Sequence, residues 1–461
     1  MRRWLRRAAS LRTAALTVLA ALACSAAAAA RPDVRTGPAP AVASPPPVRG
    51  VPAPVTAAPP KPAGPRDDAS ADARRSVRIA LVSRAAEVRL TSSEPWRLYA
   101  ADGRTLLAVT QAGERWVLER DGRRVSARRE DSHPVTLRDS PVIARPMDAR
   151  GAVSFNGRRW RGELRVSASE GGLQVVNHVA LDDYLRGVVP LEIGTTAQAD
   201  MAAAEAQAVT ARSYAMTHVG ARDRGYDMLA SVADQVYGGV NAETALGNRA
   251  VESTTGLVLM YDGRVVNAPY HAACGGSTAE PQDVWRASAE PYLKRVSDQV
   301  PGSTRFYCDR APKYRWTKIY SGDELRATLS RYLRTLPGGG AVGTVKGVTV
   351  TGATPAGRVS TLTVDSDRGA WTVRGDAIRS ALRSPSGDLL YSTYFSLDMV
   401  TDGGGVRSLT VHGGGNGHGV GMCRRGRSAV PAPARTSGRS CARTTRGPRL
   451  APSGPRRRTE R

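Results

Sequence analysis

The sequence predicts an α+β fold, rich in β-strand, with antiparallel hairpins and an alanine-rich helix packed near an active cleft. Three observations lead there. Short apolar runs such as "VRIALVS", "AEVRLTS" and "RTLLAVT" alternate with polar residues at strand spacing. Asp102-Gly103, Asp121-Gly122, Asn156-Gly157 and Asp262-Gly263 separate such runs and tolerate the positive φ of tight hairpin turns. Two segments read as helices. "LDDYLRGVV" places Leu181, Leu185 and Val188 on one face, with Pro190 as its stop. "AQADMAAAEAQAVTARSYAMTHV" contains neither glycine nor proline.

In chain order, the first 30 residues have the charge, apolar core and small residues of a secretory signal. Five arginines precede the apolar run from Ala14 to Ala23, which is short for a membrane span. Cys24 follows that run and loosely resembles a lipoprotein cleavage site, so a membrane tether is expected only through the N-terminus. Residues 31–76 are a Pro/Ala-rich linker that cannot bury a core. Residues 77–150 read as a small β-rich unit, residues 151–423 as the main domain, and residues 424–461 as a disordered arginine-rich tail. The expected location is secreted: cell envelope or periplasm.

The formal charge of +25 suggests nucleic acid until its distribution is considered. The leader holds five arginines, and the tail holds twelve arginines and one glutamate. That leaves nine of the 25 positive charges for residues 31–423, which suits an anionic wall or membrane surface or a solvated face. No nucleic-acid partner is expected.

Five clusters carry candidate chemistry. Glu192 in "GVVPLEIG" lies between Leu191 and Ile193. Loss of hydration there would raise its pKa and fit it as a general acid; a surface loop glutamate is the plainer reading. On the alanine-rich helix, Gln207 and Tyr214 share one face and Arg212 lies on another. Gln235 and Tyr237 alternate in "DQVYGG". "NAPYHAACGGSTAEPQDVW" gathers Tyr270, His271, Ser277 and Trp285, a mixture suited to sugars, or to an ordinary hairpin with a satisfied histidine. His418 sits in "GNGHGVGM", whose glycines allow close backbone approach. No Lys-Ser or Lys-Thr pair follows, and the chain has no HExxH, CxxC or GxSxG pattern, so neither a nucleotide loop, a regular metal motif nor a serine-hydrolase elbow is indicated.

The order of these pieces is more specific than any one of them. "NHVALDDYLRGVVPLEIG", "AEAQAVTARSYAM", "DQVYGG", "APYHAACGGSTAEPQDVW", "PYLKRV" and "GHGVGM" resemble the stage II sporulation protein D and amidase-enhancer family, from about residue 155 to residue 422. The resemblance implies a peptidoglycan lytic transglycosylase. Such an enzyme cleaves the β-1,4 bond between MurNAc and GlcNAc in peptide-stripped glycan and leaves 1,6-anhydro-MurNAc ends. It implies Glu192 as the catalytic residue and Gln207, Arg212, Tyr214, Gln235, Tyr237, His271 and His418 as substrate-binding. Arg212 would pair with the lactyl carboxylate of muramic acid, or else form a structural ion pair. The alternative function is a non-catalytic amidase enhancer, with a cell-wall amidase as partner.

Sporulation members bind zinc through cysteine and histidine just before the "QVYGG"-like segment. Here "YDMLASVADQVYGG" has neither, so no metal or other cofactor is expected. A disulfide between Cys274 and Cys308 is the simple reading for a secreted chain. A ligand set of Cys274, Cys308, Cys423 and His271 is the less simple one.

The family continues past "GHGVGM" with Gln, an aromatic and Gly-Ala. Here "CRRGRSAVPAPART" follows. Reading one base earlier makes "ARTSGRSCARTTRG" compatible with "ADFREILRAYYPG", so the tail is expected to be out of frame.

Overall fold

The computed structural model describes residues 76–130, 137–194, 200–221, 224–285, 287–428 and 449–452. The expected leader and linker, Cys24 and Cys441 lie outside them.

The alternating runs form two sheets that enclose one core. In a seven-stranded sheet, Ser76–Ala85 lies between Met228–Leu229, which is parallel to it, and the antiparallel Gly172–Ala180; Glu163–Ser169, Val142–Pro146, Trp96–Tyr99 and Leu106–Thr110 follow. A six-stranded sheet orders Arg158–Trp160, Val153–Phe155, Glu87–Thr91, Trp116–Asp121, Arg124–Arg129 and Leu137–Asp139. Val77, Ile79, Val88, Leu90, Trp96, Leu98, Leu118, Val166 and Val175 pack between them. The expected boundary at residue 150 is therefore corrected. Ser76–Ala85 pairs along its length with Gly172–Ala180, and both sides share one core. The hairpin signals held: Asn156-Gly157 and Asp262-Gly263 both take positive φ at paired central positions.

Helix α1 (Leu181–Arg186) ends at Gly187, and α2 (Val189–Ile193) starts at once. Pro190, expected to stop a helix, instead sits in the first turn of α2, where its missing N–H has no helical partner to lose. The break belongs to Gly187, where a Cβ would lie 2.6 Å from the Tyr237 ring. Gly194 caps α2 in the left-handed conformation.

Helix α3 (Met201–His218) is the alanine-rich segment. It is buried nearly all round, because Ala203, Ala204, Ala208, Ala211 and Ala215 let neighbours approach from several sides. Helix α4 (Ala245–Ser253), capped by the Thr244 side chain, packs on it.

Residues 315–414 build a second core that the sequence left undivided. One three-stranded sheet joins Arg315–Ser321, Val406–Gly414 and Phe395–Thr401; another joins Val345–Ala353, Val359–Ser366 and Gly369–Arg374. Between them lies a helix, Gly322–Leu333, started by a reciprocal Ser321/Glu324 capping box.

The chain then returns to the first half. Met422–Cys423 runs parallel to Tyr270–His271, and the short helix Arg424–Ser428 follows. Arg449–Pro452 pairs antiparallel with Leu257–Tyr261. The expectation of a structureless tail from residue 424 is corrected for these two segments: Arg424 bonds to Glu192 and the Arg425 N–H to the Ala272 carbonyl, and Arg449–Pro452 joins a backbone ladder. Among the described residues no helix is long and apolar enough to cross a membrane.

Candidate active site

Glu192 lies on the last turn of α2. Pro190 and Ile193 turn inward, while Leu191 is 46% exposed. One carboxylate oxygen, Oε1, accepts the Val236 N–H at 2.8 Å. The other, Oε2, accepts from Arg424 Nη1, which also donates to the Glu192 backbone carbonyl. The side chains of Glu192 and Arg424 are only 6% and 18% exposed. The Arg424 guanidinium also lies 5.6 Å from the centre of the Tyr270 ring. The sequence placed Glu192 among apolar neighbours; it missed the arginine, which lies 232 residues away and in the stretch expected to be structureless.

Behind Glu192 the expected residues gather, mostly as supports. Gln235 is fully buried: Nε2 donates to the Ala211 carbonyl and the Tyr270 hydroxyl, and Oε1 accepts from the Tyr184 hydroxyl. Tyr214 is half-buried, donates to Asp234 Oδ1 and stacks on His218 at 3.9 Å. Its ring meets Tyr270 edge-on at 6.4 Å. His418 Nδ1 accepts the Val420 N–H, so Nε2 carries the proton and donates to the Tyr270 carbonyl. Trp285 packs 4.8 Å from the His418 ring. Tyr270 and Trp285 stand in the aromatic cluster quoted from the sequence, but motif matching had not selected them as site residues.

Four expected substrate contacts are corrected. Arg212 is buried and donates to Asp182 and to the carbonyls of Val251, Thr254 and Leu257. It is the structural ion pair, tying α3 to α1 and to the end of α4. Tyr237 is buried against Trp160 and Tyr184, and its hydroxyl donates to Asn177. His271 is buried, donates Nδ1–H to the Val420 carbonyl and leaves Nε2 without a partner. Gln207 is fully buried, and neither of its amide atoms has a partner among the described residues. None of these four is placed to meet a sugar in this conformation.

Burial keeps both histidines neutral. It pushes His271 down to about 3, helped by Arg358, and His418 down to about 3, helped by His271. Burial likewise holds the Tyr184, Tyr237 and Tyr270 hydroxyls protonated.

The glycines of "GNGHGVGM" serve packing. A Cβ on Gly417 would lie 2.7 Å from His271 Cβ, and one on Gly421 would lie 2.1 Å from the Pro269 carbonyl oxygen; both have positive φ.

Next to this lies a second cluster. Cys274, Asp298, Cys308 and Cys423 are buried, and one potential ligand atom from each lies within 4.8 Å of all the others. The expected Cys274–Cys308 disulfide is not formed: the sulfurs are 3.5 Å apart, against about 2.05 Å for a bond. His271 takes no part in the cluster, and Asp298 stands where it was considered. No local pattern marks the set, because Cys274 lies 34 residues from Cys308 and 149 from Cys423.

Residues 169–261 match the family model "Stage II sporulation protein", and residues 302–421 match "Domain of unknown function (DUF8618)". An uncharacterised protein of Brachyspira hyodysenteriae is 28% identical over 281 residues, covering 60% of this chain and 68% of that one. The stage II sporulation protein D of Bacillus subtilis is 29% identical over 269 residues, covering 55% and 69%. The amidase enhancer of Bacillus subtilis is 28% identical over 271 residues, covering 53% of this chain but only 37% of its own length. The first match encloses Glu192, Gln235 and α3. With the motif order along residues 155–422, these matches support the stage II sporulation protein D and amidase-enhancer family, whose model residues 169–261 fit.

Proposed function

We propose that the protein is a peptidoglycan lytic transglycosylase of the cell envelope. The observation that carries this reading is Glu192, a carboxylate held by the Val236 N–H on a glycine-capped turn, with aromatic and amide side chains behind it. Ordinary glycosidases need two carboxyl groups. Lytic cleavage needs one, because the sugar supplies its own nucleophile. Protonated Glu192 gives its proton to the glycosidic oxygen as the bond from C1 to that oxygen breaks. The C6 hydroxyl of the same muramic acid then bonds to C1. Its proton passes to the Glu192 carboxylate, and the acid form is restored. No water is consumed, and the product carries a 1,6-anhydro ring. A cell-wall amidase that strips stem peptides is the natural partner.

The contact with Arg424 supports a second reading. Arg424 takes up Oε2 while the Val236 N–H takes up Oε1, so in the closed pair neither oxygen faces a glycosidic bond as a proton donor. The Glu192–Arg424 pair therefore has to open before the first step. If it stays closed, the protein acts as a non-catalytic modulator of an amidase. The experiment is digestion of purified, peptide-free glycan strands by the protein and by Glu192→Gln. Lytic activity gives anhydro ends, each lighter by one water than a hydrolytic product, with the wild type and none with the variant. Their absence with the wild type sinks the enzymatic reading.

A further inference from the structure

We propose that Cys274, Asp298, Cys308 and Cys423 form a closed tetrahedral zinc site that fastens the end of the domain beside Glu192. Four observations carry it. The donor set is three sulfurs and one carboxylate, all buried and all within 4.8 Å of one another. Zinc–sulfur bonds of about 2.3 Å in a tetrahedron place sulfurs about 3.8 Å apart, near the 3.5 Å between Cys274 and Cys308.

Next, the backbone addresses the sulfurs as acceptors. Gly276 N–H donates to Cys274 Sγ at 3.4 Å, Cys274 N–H to Cys423 Sγ at 3.3 Å and Gly426 N–H to Cys423 Sγ at 3.4 Å. Such donors stabilise thiolates, the form that binds a metal. The carboxylate is equally fixed. Cys308 N–H donates to Asp298 Oδ2 at 2.9 Å, and the Asp298 backbone bonds to Gly276 and Tyr307.

The fourth observation is Arg358. It is buried, donates Nη2 to the Cys274 carbonyl at 3.0 Å, and among the described residues has no hydrogen-bond partner for Nε or Nη1. A divalent ion with three thiolates and a carboxylate leaves two negative charges, and an adjacent arginine offsets one. That is the outer-sphere role such sites use. Without an ion, the cluster packs a carboxylate against three sulfurs, and among the described residues no lysine or arginine forms an ion pair with Asp298.

Thiolate donors select zinc or copper(I) over magnesium and calcium, and a three-sulfur, one-oxygen tetrahedron fits zinc. Four protein ligands leave no open position, so the site is structural. Binding joins three distant stretches: the Cys274 loop, the Asp298–Cys308 loop and the Met422–Cys423 strand. The last continues directly into Arg424.

The proposal goes beyond the transglycosylase reading and does not depend on it. Its test uses the full chain carrying Cys24→Ser and Cys441→Ser, so that only the three cluster thiols remain. Elemental analysis should find close to one zinc per chain after purification without chelators. Thiol titration in denaturant with chelator should find three free thiols. Replacing the metal with cobalt should give the sulfur-to-cobalt charge-transfer absorption and strong visible bands of a tetrahedral thiolate site. Cys308→Ser should lose the metal, and Arg358→Met should bind it about 10–100-fold more weakly. One free thiol with no metal establishes the disulfide and overturns the proposal. Three free thiols that take up neither zinc nor cobalt also overturn it, as does another metal at full occupancy. The cobalt spectrum needs no further substitution, so it decides even if the variants fail to fold.

Discussion

Two buried carboxylates lie on either side of one short segment, and their surroundings differ. Glu192 receives a backbone N–H and an arginine. Asp298 receives a backbone N–H and three sulfurs, and burial pushes its carboxyl up to about 8. Residues 422–426 serve both. Cys423 joins Asp298, Arg424 reaches Glu192, and a Cβ on Gly426 would lie 2.3 Å from Asp298 Oδ1. A carboxylate met by a protein cation is already compensated and is free to exchange that partner for substrate. A carboxyl met by thiols keeps its proton unless a cation from outside the chain takes the proton's place. The first arrangement suits chemistry and the second suits construction.

The largest expected effect tests the first half of that contrast. Glu192→Gln should lower formation of anhydro ends by about 10²–10⁴-fold while leaving zinc content and thiol count unchanged. Activity that survives the change would remove Glu192 from the mechanism and leave the two carboxylates alike in being structural.

A second arginine sharpens the comparison. Arg212 and Arg424 both face carboxylates, but Arg212 also fills three backbone carbonyls. Removing one partner of a buried pair costs about 3–5 kcal/mol, so Arg212→Ala should destabilise by that amount in urea unfolding. A loss below about 1 kcal/mol would place Arg212 in the class of weak surface pairs and reopen its role toward substrate.

The histidines add a pH test of how dry the region between the two carboxylates is. His271 and His418 are held near 3, below the ordinary 6.5, so the folded chain stays unprotonated where the unfolded chain takes up protons. Their contribution is fully present above 6.5 and is lost as pH falls toward 3. His271 faces His418, Arg358 and Arg424; His418 also feels Asp376 and Arg379. Between pH 6.5 and 5.5 the loss should be on the order of 1 kcal/mol for each histidine, about 2 kcal/mol together. His418→Asn should flatten that slope, and an unchanged slope would mean that the ring already titrates normally in the fold.

Local signals were legible and distant ones were not. The turns at Asn156-Gly157 and Asp262-Gly263, helix α3 and the position of Glu192 rest on residues adjacent in sequence. Pro190 misled because its rule depends on where a helix begins, and the close approach of Tyr237 to Gly187 decides that. Arg212 and Tyr237 carried the right motif but went into the core, since a match along the chain does not say which side of a helix faces water. Of the Asp298 cluster the sequence offered the three cysteines, with His271 in the place that Asp298 takes. Its four members come from three separate stretches, and only the closing strand brings them together.

Arg424→Gln is the finest test, because it changes one side of the shared segment and spares the other. A glutamine is also what the family pattern places shortly after "GHGVGM". The substitution removes the cation from Glu192 but keeps a hydrogen-bond donor, and it leaves the Cys423 sulfur untouched. The pair is nearly covered, but the substitution keeps a donor toward Glu192, so stability should fall by about 1–3 kcal/mol, less than for Arg212→Ala. Anhydro-end formation should rise a few-fold, because the ion pair no longer has to open before Oε2 can turn to the substrate. Zinc stoichiometry should not move. If activity falls instead, Arg424 assists the reaction and the carboxylate works as a base held by its arginine. If zinc is lost as well, the two carboxylates are one coupled unit, and the contrast drawn between them fails.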